Sequence, residues 1–138
     1  MALTGIVLDT NAYSAFKRAR PEALEIVQYA PVLFLTSVVI GELLGGFAGG
    51  SREARNRKEL EVFCTSPRVR RVLVDDHTAE HYGRVYQQLR RRGTLIPTND
   101  IWIAASAIQH NLGVFTYDGH FAYIEGLSVG MGLEDFLF

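Results

Sequence analysis

The chain has 138 residues, of which 48% are hydrophobic and 21% charged. This composition suits one compact domain with a substantial core and excludes a disordered chain. Its 14 Lys and Arg nearly balance its 15 Asp and Glu, for a net charge of -1. No apolar run approaches the length of a membrane span. The opening residues lack the basic start and apolar core of a signal peptide. Cys64 is the single cysteine, so no internal disulfide can form, and a cytoplasmic protein away from membranes is expected.

Ile6-Val7-Leu8 is a short apolar run ending at Asp9, which predicts a buried strand followed by a helix over 10–16. The carboxyl end of a strand is where α/β sheets place ligands, although Asp9 or Thr10 is equally suited to cap the helix. Pro21 opens a second helix through Tyr29, and Pro31 stops it. The run 32–35 reads as a second buried strand. Thr36 or Ser37 then caps a helix over 38–47 whose single charged residue is Glu42. A lone Glu in a mostly apolar helix either faces solvent or has a partner. Gly41, Gly45 and Gly46 weaken that helix, and close packing or local looseness would account for them.

After a loop at 48–51, a charged helix runs over 52–64. Leu60, Phe63 and Cys64 share one face, and Cys64 reads as a small core residue. A third strand is predicted over 69–74. A long helix over 77–92 follows, with Tyr82, Val85, Tyr86 and Leu89 on one face and Arg90, Arg91 and Arg92 in its last turn. Thr98 or Asn99 can cap the next helix, which runs to His110 and puts Asp100 in its first turn. From Ile101 to Ile108 nearly every residue is apolar or small, so this helix is buried, with Trp102 in the core. A carboxylate at its mouth meets free N–H groups and a favourable dipole. The fourth strand, 114–116, leads into Tyr117-Asp118-Gly119-His120-Phe121, and a short last strand lies near 127–129. Alternating strands and helices without a linker or repeat predict one domain over 1–138 with a parallel sheet covered on both faces.

Asp9, Glu42, Asp100 and Asp118 now share a pattern. In a parallel sheet, strand ends one and four open on the same edge, and the helices bearing Glu42 and Asp100 begin beside it. Carboxylates converging there without Lys or Arg repel one another. Hard divalent cations are the usual remedy, and phosphodiester hydrolysis is the reaction class such ions suggest. With four acids gathered in one site, 14 basic residues face 11 acidic ones elsewhere, a mildly basic surface that suits a polyanion.

The same residues resemble a known family. Val7-Leu8-Asp9-Thr10-Asn11, Gly41-Glu42-Leu43-Leu44-Gly45, Asn99-Asp100-Ile101-Trp102-Ile103-Ala104-Ala105 and Thr116-Tyr117-Asp118-Gly119-His120-Phe121 look like the four signature blocks of PIN-domain ribonucleases, the VapC toxins in particular. The resemblance spans almost the whole chain. It implies a three-layer α/β/α fold and an Mg²⁺- or Mn²⁺-dependent endoribonuclease. Asp9, Glu42, Asp100 and Asp118 match the metal-holding acids, and Asn11 and Thr116 the polar positions that support them. Tyr117 departs from the pattern, since a polar or basic residue is commoner there. The resemblance further implies an RNA substrate, a small antitoxin partner that makes any DNA contact, and a homodimer.

Other readings compete. A housekeeping RNA-processing nuclease and a non-catalytic interaction module use the same fold. Mutually repelling acids at all four positions speak against the module. His77-Thr78-Ala79-Glu80-His81 matches the inverted zinc-protease pattern H-x-x-E-H, but a solvated helix start accounts for it. Arg90, Arg91 and Arg92 are candidates for RNA phosphate contacts, although Arg in a last turn also favours the helix dipole. Arg68, Arg70 and Arg71 form a second basic cluster open to the same two readings. His110 and His120 are read as surface residues, and Tyr82 and Tyr86 as core or interface.

Overall fold

The computed structural model describes residues 2–138. Five strands, β1 (Gly5–Leu8), β2 (Leu33–Thr36), β3 (Val69–Val72), β4 (Leu112–Phe115) and β5 (Val129–Gly130), form one sheet in the order β3-β2-β1-β4-β5. Every pairing is parallel. All four residues of β1 and all four of β4 are buried. Successive side chains on a strand point to opposite faces, so both faces of the sheet centre are covered. The helices are α1 (Thr10–Lys17), α2 (Pro21–Tyr29), α3 (Ser37–Ala48), α4 (Glu53–Cys64), α5 (Asp76–Arg92) and α6 (Thr98–His110), and a 3-10 turn covers Gly119–Tyr123. This is the three-layer α/β/α arrangement that the sequence predicts.

Local chemistry explains most boundaries. Thr36 accepts a hydrogen bond from the Val39 amide at 3.1 Å and starts α3. Asp75 and Thr78 form a reciprocal capping box at the head of α5, and Gly93, at φ 72°, ends that helix. Thr78 Oγ1 lies 2.5 Å from Gln109 Oε1. The head of α5 therefore meets the tail of α6, and the two helices form an antiparallel hairpin closed by the 93–97 loop.

Four details differ from the sequence reading. Neither Thr98 nor Asn99 caps α6; the cap position is Pro97, with no side-chain bond. β4 begins at Leu112 rather than 114, because Asn111 takes a left-handed conformation, φ 56°, and turns the chain straight into register with Gly5. Leu73 and Val74 leave the sheet, exposed, to reach the α5 cap. The last strand sits at Val129–Gly130. A further expectation fails at Gly41, Gly45 and Gly46, where an added Cβ would meet nothing within 4 Å, so close packing is not their role. Close approach does hold at Gly113, where a Cβ would run into the Phe136 ring.

Candidate active site

The sheet topology brings the acidic residues together. β1 and β4 are neighbours, with Leu8 opposite Phe115, so Asp9 and Thr116 leave the sheet side by side. The Asp9 amide donates to the Phe115 carbonyl at 3.0 Å. Thr116 Oγ1 donates to Asp9 Oδ2 at 2.7 Å and accepts from the Asp118 amide at 3.0 Å. One hydroxyl thus fixes both acids. Asp9 Oδ1 also accepts from the Thr10 amide at 2.8 Å, so the carboxylate caps α1 as well as facing the edge. Glu42 enters from α3, where Thr10 Oγ1 donates to its Oε1 at 2.7 Å and Asn99 Nδ2 to its Oε2 at 3.4 Å. Asp100 arrives in the first turn of α6. That helix feeds β4 at its tail, which leaves its head at the carboxyl edge.

The electrostatics follow from this proximity. Burial raises the pKa of Asp9; bonds from Thr116 and Thr10 oppose this, and the charges of Glu42 and Asp118 add to it. Asp100 is pushed up to about 6, chiefly by burial. His120 pulls it back and the charges of Asp9 and Asp118 raise it further. Among the described residues no Lys or Arg forms an ion pair with any of the four acids.

The tightest group contains a residue that the sequence reading set aside. Ligand atoms of Asp100, Asp118 and His120 lie within 4.8 Å of one another. His120 Nδ1 is 3.3 Å from Asp100 Oδ2 and 3.1 Å from Asp118 Oδ1. Asp9 and Glu42 stand outside that trio and are coupled to it through their charges. The available signal was the D-x-H spacing. Asp118 caps the 3-10 turn by accepting from the His120 amide at 2.9 Å, which turns the imidazole back toward the acid. Thr10 was also passed over, and only the tertiary contact with Glu42 reveals its role.

The supporting positions are placed as follows. Asn11 Oδ1 accepts from the Tyr117 amide at 3.1 Å, tying α1 to the segment that carries Asp118. Tyr117 turns its hydroxyl away from the acids and donates to Glu22 Oε1 at 2.8 Å, with Arg20 over its ring at 5.5 Å. Burial and the Glu22 contact push this phenol up to about 12. Arg90, Arg91 and Arg92 are exposed at the end of α5. Arg92 Nη1 donates to the Tyr123 carbonyl at 3.0 Å, at the close of the turn that carries His120. Arg84, Gln87, Arg91 and Arg92 line an open groove of about 810 Å³ there. Trp102 is half-buried rather than core and stacks on Tyr82 at 4.1 Å. His77 and His81 belong to no metal-like group among the described residues.

The fold and its acidic edge define a PIN domain. The PIN-domain sequence profile matches residues 6–127, and the chain belongs to that family. Its relatives within the family include VapC ribonucleases. The chain is 31% identical over 121 residues to the VapC ribonuclease Y4jK of Sinorhizobium fredii, a match covering 82% of this chain and 86% of that one. Its fold superposes on the DNA-bound VapBC of Salmonella typhimurium with a TM-score of 0.80 and 26% identity, covering 94% of this chain and 98% of that one. It superposes on VapBC-5, a toxin–antitoxin member from Mycobacterium tuberculosis, with a TM-score of 0.69 and 31% identity, covering 90% and 94%.

Proposed function

We propose that this chain is an Mg²⁺- or Mn²⁺-dependent endoribonuclease, the toxin of a toxin–antitoxin pair, acting in the cytoplasm through Asp9, Glu42, Asp100 and Asp118. The observation that carries this reading is the convergence of these acids on one sheet edge, without a paired Lys or Arg among the described residues and with Asp100 pushed up to about 6. A set of hard oxygen donors that repel one another fits a divalent cation. A bound ion of this kind supplies charge stabilisation at a phosphoryl oxygen and acidifies water.

The chain's own residues position the site. The Thr116 hydroxyl and Thr10 amide hold Asp9, and the Thr10 hydroxyl orients Glu42. Asn11 anchors the Tyr117 amide and with it the approach to Asp118. Arg90, Arg91 and Arg92 offer positive charge to RNA phosphates beside the turn at Gly119–Tyr123. No helix of the described chain is long and apolar enough to cross a membrane. Likeness to VapBC toxin–antitoxin complexes, one of them DNA-bound, supports an antitoxin as partner, which carries any DNA contact; a homodimeric toxin belongs to the same proposal. An Arg from the antitoxin suits the acidic edge.

Induction in a bacterial host tests the reading. Wild type arrests growth, Asp100→Asn does not, and the small protein encoded next to the gene relieves the arrest. Harmless wild type would favour a housekeeping RNA-processing role instead.

A further inference from the structure

We propose that His120 is a nitrogen ligand of this metal site and biases it toward Mn²⁺ over Mg²⁺. The inference rests on the metal-dependent reading above and adds to it a donor that is not a carboxylate. Asp100, Asp118 and His120 have ligand atoms within 4.8 Å of one another, the separation of donors around a single ion. The imidazole faces acids from two different elements, Asp100 on α6 and Asp118 after β4.

Its backbone is held in the turn while its ring is half exposed. The His120 amide is bound to Asp118 Oδ1 at 2.9 Å, and the next residue, Phe121, is fully buried. The His120 side chain is 47% exposed, and among the described residues its ring contacts only this pair of acids. These acids form no ion pair with a Lys or Arg among the described residues. Mg²⁺ demands oxygen donors in a near-ideal octahedron. Imidazole suits the transition metals, whose affinities rise beyond Mn²⁺ along the first row. One nitrogen among the carboxylates therefore selects against Mg²⁺.

The test uses the full chain with Mn²⁺ and Mg²⁺ as probes. Free Mn²⁺ is counted by electron paramagnetic resonance, Mg²⁺ affinity is read by competition, and spin-echo modulation detects nitrogen on the bound Mn²⁺ in protein carrying ¹⁵N-histidine. Wild type, His120→Ala and His120→Gln are compared, with a thermal melt of each to check folding. The chain has 4 His, so loss of the coupling in the variants identifies which one binds. We expect a histidine nitrogen coupling in wild type that vanishes in both variants. Mn²⁺ affinity should fall on the order of tenfold to a hundredfold, with Mg²⁺ affinity nearly unchanged. Mn²⁺ that binds wild type through Asp100 without nitrogen coupling, or equal losses for the two ions, overturns the role of His120 and leaves the carboxylate site standing. Wild type that binds neither ion overturns both.

Discussion

Replacing Asp100 by Asn removes one charge at nearly constant shape from the most perturbed acid in the site. Its pKa stands at about 6 in the folded chain against an ordinary 3.8. At ~1.4 kcal/mol per unit, the ionised form carries about 3 kcal/mol of strain when no metal is present. The side chain is only 13% exposed, so solvent screens little of this. The opposing pull of the His120 hydrogen bond is already contained in that value. The metal-free variant should therefore be about 3 kcal/mol more stable than wild type at pH 7.5, a rise of roughly 10 °C in Tm for a chain of this size.

The gain must depend on pH. The folded-state pKa is raised, so the folded chain keeps its proton longer than the unfolded one. Wild type loses stability as pH climbs from 3.8 to about 6, and its deficit is constant above that. The two proteins should melt together near pH 3.5 and diverge up to pH 6. Thermal melts in EDTA across this range are the assay. An Asn variant that is less stable at pH 7.5, or a difference that ignores pH, would refute the reasoning and make Asp100 an ordinary first-turn residue.

Mn²⁺ at a hundred times its Kd should stabilise wild type by about 2.7 kcal/mol through mass action; in Asp9→Asn the gain should shrink, as thermal shift would show. Thr116→Val strips Asp9 and Asp118 of their shared hydroxyl; urea denaturation should show a loss of about 1–3 kcal/mol, with cleavage impaired. Arg91→Ala with Arg92→Ala should weaken RNA binding for all sequences alike, and the salt slope measured by fluorescence anisotropy should fall by roughly 1 per lost phosphate contact. An unchanged slope would remove these arginines from the RNA path.

The elements most legible in the sequence were those whose pattern is local. The run at 6–8, the Pro-bounded helix α2 and the apolar stretch of α6 each declare themselves by periodicity and punctuation. Alternation of strands and helices is enough to put Asp9 and Asp118 at one edge of a parallel sheet. What stayed hidden depends on tertiary context. Nothing adjacent in sequence tells that Thr10 bonds Glu42, 32 residues away, or that Tyr117 turns toward Glu22 rather than toward the acids. His120 looked like an exposed turn residue because its partner Asp100 belongs to another element. Thr98 and Asn99 have the chemistry of a cap, yet Pro97 starts α6, and the Asn99 amide is turned toward Glu42 instead.

The most direct test of the account is RNA cleavage by purified protein stripped with EDTA and then titrated with Mn²⁺ or Mg²⁺, alongside Asp9→Asn, Glu42→Gln, Asp100→Asn and Asp118→Asn. Cleavage should be absent in EDTA, return with the metal in wild type, and fail to return in the variants. Undiminished cleavage in EDTA, or full activity in the variants, would contradict a metal-dependent nuclease built on these four acids.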